Sequence, residues 1–204
     1  MPIRLAVLLS GSGTTLQNII DRIGCGEVDA TVAGVISSRA GVFGLERARK
    51  CDIPTLEVVR KKFATREGFN TALWEAIRGF SPDLVVLAGF MSLIDVPSDF
   101  QNRIINVHPA LIPAFCGHGM YGHHVHEAVI NYGAKVSGAT VHFVDNEYDH
   151  GPIILQGTVP VLDGDTADTL AERVQALERE LYPQAIQLFA EGRLQVAGRR
   201  VLVH

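Results

Sequence analysis

Cysteine is scarce in this chain, with three in 204 residues. Cys25, Cys51 and Cys116 are widely spaced and form no Cys-x-x-Cys, which fits reduced thiols in a cytoplasmic protein better than a disulfide framework. No apolar run approaches the ~20 residues of a membrane span. The N-terminus, Met1-Pro2-Ile3-Arg4-Leu5, begins directly as a strand and lacks the apolar core and cleavage site of a signal peptide. Basic tracts are also missing. The net charge is -4, and Lys61-Lys62 and Arg199-Arg200 are short, isolated pairs suited to a solvated surface. Neither a nucleic acid nor a membrane is therefore expected as a partner. Three catalytic signatures are absent as well: Gly-x-Ser-x-Gly, His-Glu-x-x-His and the Gly-Lys-Ser/Thr ending of a Walker loop. A serine nucleophile elbow, a zincin site and an ATP-binding P-loop are set aside, and no metal is expected.

What remains is a chain that is 47% hydrophobic and long enough to bury a substantial core, with one domain as the natural expectation. Continuous apolar runs alternate with helical patterns. Leu5–Leu9, Thr31–Ile36, Leu84–Ala88 and Arg103–Val107 read as strands. Thr15–Ile23, Leu45–Cys51 and Arg66–Phe80 read as helices, and a long loop is expected around Pro109 to His123. This alternation predicts an α/β fold: a three-layer α/β/α domain over residues 1–204 with a mostly parallel, Rossmann-like sheet. After residue 135 the character changes. Val136–Val144 and Ile153–Val161 read as longer strands. A helix from about Thr166 to Ala190 follows, with Leu170, Val174, Leu177 and Leu181 on one stripe and a kink expected at Pro183. A small hairpin spans Leu194 to Val203.

Three groups of residues carry chemistry. Ser10-Gly11-Ser12-Gly13-Thr14-Thr15 joins the first strand to the first helix, where backbone N–H groups and the helix N-terminus suit a phosphate. Leu16 occupies the place of the third glycine of a dinucleotide fingerprint, and Ser37-Ser38-Arg39 stands where an acidic residue would follow the second strand. One phosphomonoester is the expected ligand. The second group is Asn106-Val107-His108-Pro109 with Asp149. In a strand, positions i and i+2 share a face, so an amide donor stands beside a general acid/base, and a downstream carboxylate can support the charged ring. This set suits transfer of an acyl-type carbon to an amine, with the substrate's own nucleophile attacking. The third group, His118, His123, His124 and His126, reads as a polar loop near the active site. His142 reads as a packed strand histidine.

Taken together, these segments resemble the phosphoribosylglycinamide formyltransferase family of folate-dependent enzymes. The resemblance covers nearly the whole chain and rests on Leu9–Gln17, Phe43–Ala48, Val86–Met91, Asn106–Pro109, Val141–Val144 and Asp149–Gln156 in that order. It implies that the glycinamide amine of 5-phosphoribosylglycinamide attacks the formyl carbon of 10-formyltetrahydrofolate, the co-substrate. It implies His108 as the proton-transfer residue, Asn106 as the oxyanion donor and Asp149 as the support for His108. Gly13, Thr14 and Thr15 would hold the phosphate, and Glu178 would contact the ribonucleotide. Arg66, Met91, Ser92, Leu93, Ile94, Asn106, Asp145, Asn146, Glu147, Tyr148 and Asp149 match the folate site. The phosphate-binding half would span about 1–105, and the folate-binding and catalytic half about 106–204. The partners would be these two small molecules, with the chain a monomer or homodimer.

Three departures from the family pattern stand out. Thr15 replaces the usual Asn, and Ser92 replaces a common Arg. The stretch 114–122 is longer than the family's short Pro-Gly version. Methionyl-tRNA formyltransferase shares Asn-x-His-Pro and the distant Asp, but usually carries a further tRNA-binding domain, and this chain is mildly acidic. Formyltetrahydrofolate deformylase would use water in place of the amine. A non-catalytic phosphate-binding module would have no use for the intact Asn106, His108 and Asp149.

Overall fold

Five consecutive fully buried residues, Leu5 to Leu9, make the first strand a core strand covered on both faces. The computed structural model describes residues 1–204, which divide into two compact units, 1–105 and 106–204.

The first unit is built on parallel pairing. Strand β1 (Ile3–Leu9) pairs with β2 (Ala30–Ser37) on one side and with β4 (Leu84–Leu87) on the other, and β2 pairs with the short β3 (Thr55–Glu57). The strand order here is β3-β2-β1-β4. Helices α1 (Thr14–Gly24), α2 (Phe43–Lys50) and α3 (Arg66–Gly79) provide the crossovers. In α3, Phe69, Leu73, Trp74 and Ile77 are buried at helical spacing, and the N-cap Thr65 accepts from the Gly68 N–H at 3.1 Å. Strand β3 and the 3-10 turns at Arg60–Lys62 and Ser98–Phe100 are not expected from the sequence; each is three residues long and carries no periodic signal.

Strand β5 (Ile104–His108) carries the chain into the second unit. There α4 (His123–Tyr132) leads to β6 (Val136–Phe143), which pairs antiparallel with β7 (Ile153–Pro160). Helix α5 (Ala167–Ala190) follows, and then the hairpin of β8 (Leu194–Ala197) and β9 (Arg200–Val203). Ile153 of β7 pairs in parallel with Arg200 of β9. Five helices and predominantly parallel pairing in the first unit make this the α/β class expected from the alternation.

The α5 stripe behaves as its spacing predicts. Leu170 and Val174 are buried with Val129, Ala139 and Val159, and Leu177 and Leu181 pack against them. Pro183 lies within α5 without ending it. Thr166 and Thr169 cap its start reciprocally, each side chain bonding the other's backbone N–H at 3.3 and 3.0 Å.

The histidine-rich segment corrects the sequence reading. His123, His124 and His126 belong to α4 and not to a loop. Val125 and Val129 are both fully buried one turn apart, and Gly133 closes the helix at φ 79°. Three histidines in four residues masked that apolar stripe.

Candidate active site

Strand alternation places the two polar side chains of Asn106-Val107-His108. Val107 packs into the α4–α5 cluster with Leu170 and Val174, so Asn106 and His108 point to the opposite side. The exit from the strand is pinned by one buried hydroxyl. Thr140 Oγ1 donates to the Ala110 carbonyl at 2.7 Å and accepts from the Ile112 N–H at 3.1 Å and from Gln156 Nε2 at 3.0 Å. Thr140→Val removes the hub and strands those partners. It is expected to lower unfolding free energy by about 2–3 kcal/mol, read as a shifted urea midpoint at unchanged m-value.

His108 is 3% exposed, and its ring is held at both nitrogens. Nε2 donates to the Phe115 carbonyl at 2.8 Å, and Nδ1 lies 3.4 Å from Asp149 Oδ2. A carbonyl only accepts, so Nε2 carries a proton. Nδ1 can take up a second proton beside the carboxylate. The same Asp149 oxygen accepts from the Gly117 N–H at 3.0 Å. Asp149 sits at φ 52°, and Gly151, two residues on, has no space for a side chain, since a Cβ there would lie 1.8 Å from the Phe143 carbonyl. The chain after Asp149 is thereby pressed onto the end of β6.

Asn106 donates from Nδ2 to His142 Nε2 at 3.3 Å, and His142 Nδ1 donates to the Phe143 carbonyl at 2.8 Å. Burial pushes the His142 ring below the usual histidine value, although the Phe143 carbonyl and Asp149 pull the other way. A neutral ring keeps Nε2 as an acceptor and so fixes the Asn106 amide, leaving its second N–H to donate elsewhere. Asp149 Oδ1 is 3.8 Å from the same Nε2.

A family model described as Formyl transferase matches residues 3–186. The chain belongs to the formyl transferase family. It is 41% identical over 194 residues to phosphoribosylglycinamide formyltransferase of Escherichia coli (strain K12), covering 94% of this chain and 89% of that one. It is 43% identical over 191 residues to the trifunctional purine biosynthetic protein adenosine-3 of Bos taurus, but spans only 18% of that relative's length. Among solved structures, glycinamide ribonucleotide transformylase 1 from Symbiobacterium toebii matches at TM-score 0.93 and 47% identity, over 99% of this chain and 94% of that one. A formyltetrahydrofolate deformylase from Pseudomonas syringae pv. tomato matches at TM-score 0.88 and 24% identity, which shows a shared fold and nothing more.

In this member of the family, the departing stretch 114–122 contacts the histidine–aspartate pair directly. Phe115 packs its ring against the α4–α5 cluster, 5.7 Å from the Tyr132 ring, and its φ of 50° accompanies the carbonyl contact to His108. Both loop contacts, the Phe115 carbonyl and the Gly117 N–H, are backbone groups, which no side-chain motif reveals. Cys116 bonds the Pro113 carbonyl at 3.3 Å, and burial together with the Asp149 charge pushes its thiol up, away from the reactive thiolate. His126 is buried 3% exposed with Nδ1 unpartnered, and burial lowers its ring below the usual value. His123 bridges Glu127 and Asp168 at 3.1 and 3.0 Å, and His118 stacks edge-on against Tyr148.

The remaining second-unit positions lie in the turn that ends at Asp149 or on α5. Asp145 accepts from the Glu147 N–H at 2.9 Å, which shapes the turn, while Asn146, Glu147 and Tyr148 are exposed. Glu178 is partly buried on α5, and desolvation pushes its carboxyl up to about 7 against the opposing Arg179 charge.

The first unit holds the other expected residues. Gly13 caps α1 at φ 72°, and a Cβ there would meet Gly44 Cα at 2.6 Å. No side chain caps this helix, so its first N–H groups stay open beside exposed Thr14 and half-buried Thr15. Ser10 Oγ accepts from the Met91 N–H at 3.0 Å and meets Ser38 Oγ at 2.7 Å, which ties the loop to the Met91 segment. Met91 is exposed, Ser92 and Leu93 are half-buried, and Ile94 is 2% exposed and belongs to the core. Arg66 pairs with Asp95, whose backbone is held by Asn70 at 2.9 Å and Trp74 at 2.8 Å.

Proposed function

We propose that this chain transfers the formyl group of 10-formyltetrahydrofolate to the amine of 5-phosphoribosylglycinamide, giving formylglycinamide ribonucleotide and tetrahydrofolate in purine biosynthesis. The observation that carries this reading is the buried His108–Asp149 pair at 3.4 Å, with Asn106 two residues back on the same strand, in a formyl transferase family member.

The chemistry follows from proton and charge accounting. The amine lone pair attacks the formyl carbon, a C–N bond forms, and the carbonyl oxygen becomes an oxyanion. The free N–H of Asn106 donates to that oxyanion, and its orientation is fixed by the bond to neutral His142. The nitrogen that attacked must lose a proton, and the departing folate nitrogen must gain one. His108 can relay that single proton because Asp149 supports the ring when it is doubly protonated. The substrate competes with the Phe115 carbonyl for the Nε2 proton.

The Gly13–Thr15 turn, with its open N–H groups, suits the ribonucleotide phosphate. Arg66, Met91–Ile94 and Asp145–Asp149 suit the formyl folate. Glu178 suits the ribose hydroxyls, which donate to a carboxylate. Folate and ribonucleotide would meet this protein in the cytoplasm, as monomer or homodimer, with no metal in the chemistry. The direct test is whether tetrahydrofolate appears from 10-formyltetrahydrofolate only when the ribonucleotide is added.

Glu178 gives this reading a pH signature. Its carboxyl titrates near 7 in the folded protein, so ionisation and hydroxyl binding both increase from pH 6 to pH 8. Ribonucleotide affinity is expected to rise up to about 10-fold over that interval, beyond the gain from the phosphate's own ionisation, and Glu178→Gln should abolish the excess. A folded-state value raised from 4.5 to about 7 costs stability as pH climbs through that window. Glu178→Gln should therefore gain on the order of 1–3 kcal/mol at pH 8 relative to pH 5, measured by denaturant titration.

A further inference from the structure

The turn that carries Asp149 is held by a side chain from the C-terminal hairpin. Arg199 donates to the His150 carbonyl at 2.6 Å and to the His150 ring Nε2 at 3.0 Å. His150 Nδ1 in turn donates to Asp145 Oδ2 at 2.8 Å. The guanidinium nitrogen that meets Nε2 also lies 3.5 Å from Nδ1, so it sits over the imidazole and covers both ring nitrogens. The contacts link the guanidinium, the imidazole and the Asp145 carboxylate, and they close both ends of the 145–150 turn. Arg199 is well placed to do this: Gly198 turns the hairpin at φ 62°, and the next residue, Arg200, pairs with Ile153 just beyond the turn.

We propose that Arg199 and His150 are positioning residues for formyl transfer, a clamp that keeps the 145–150 turn closed and Asp149 on His108. This rests on the function proposed above. Asp149 needs such support, because its φ of 52° is a conformation that persists only where the surroundings impose it. Gly151 against the Phe143 carbonyl fixes one side of the turn, and Arg199 on the His150 carbonyl fixes the other. The hairpin lies beyond residues 3–186, the part matched by the family model. Its members are exposed, and such contacts add little to global stability. Their loss acts on the turn and leaves the fold intact.

The test compares Arg199→Ala and Arg199→Lys with the unaltered protein by steady-state kinetics and by amide hydrogen exchange. For Arg199→Ala, kcat is expected to fall and KM for 10-formyltetrahydrofolate to rise, together lowering kcat/KM about 10-fold, with KM for the ribonucleotide and the melting temperature unchanged. Exchange over residues 145–151 should accelerate, and Arg199→Lys, which keeps a donor for the His150 carbonyl, should recover part of both effects. Unchanged exchange over 145–151 overturns the clamp. Accelerated exchange with unaltered kinetics overturns its role in positioning, and so does a uniform loss that tracks the melting temperature. If the unaltered protein transfers no formyl group, the proposed function fails on its own, and the exchange comparison still decides whether the clamp exists.

Discussion

His108→Ala is expected to lower turnover about 10²–10⁴-fold, the usual contribution of a general acid/base, while ribonucleotide binding is little changed. The proposed phosphate contacts belong to the first unit, whereas His108 lies in the second. The ring is also the common partner of the Phe115 carbonyl and of Asp149, so its removal leaves a buried acceptor and a carboxylate without it. A thermal melt separates the two consequences. A folded variant with normal ribonucleotide affinity and collapsed kcat identifies proton transfer as the lost step. Near-normal kcat would refute the role of His108.

Asp149→Asn is expected to cost turnover about 10²–10⁴-fold as well, by a different route. The carboxylate is the acceptor that faces His108 Nδ1 at 3.4 Å. An amide in its place can still accept from the Gly117 N–H through its oxygen. That same oxygen also faces His108 Nδ1, so the neutral amide keeps the contact and removes only the negative charge beside the ring. That ring has lost the carboxylate that supports a second proton. Structure and folding should survive, because shape and one hydrogen bond are kept. A variant that keeps wild-type kcat would break the proposed coupling of Asp149 to His108.

The sequence makes some parts of this protein legible and hides others for physical reasons. Leu5–Leu9 and Leu84–Leu87 are visible as strands because both faces are buried, so every residue is apolar. The α5 stripe is visible because Leu170, Val174, Leu177 and Leu181 repeat at helical spacing over a long helix. The short β3 and α4 are hidden, the first by its length and the second because a polar residue, His126, is buried beside Val125 and Val129. In the candidate site, Asn106, His108 and Asp149 can be picked out because chemistry is carried by their side chains. The structure brings them together through β5 and the turn after β6. His142 reads from the sequence as a packed strand histidine. It is buried as expected, but it also accepts from Asn106, a pairing set by two strands 36 residues apart in the chain. Phe115 and Gly117 act through backbone atoms, and Arg199 through a hairpin far along the chain; neither kind of contact leaves a local motif.

The most direct test of the account is the fate of the formyl carbon. The protein is given 10-formyltetrahydrofolate labelled in the formyl group together with 5-phosphoribosylglycinamide, and the products are separated. The account predicts that the label moves to formylglycinamide ribonucleotide in step with tetrahydrofolate formation, and that no label is released when the ribonucleotide is left out. Label recovered as formate, at a rate indifferent to the ribonucleotide, would contradict it and identify water as the acceptor.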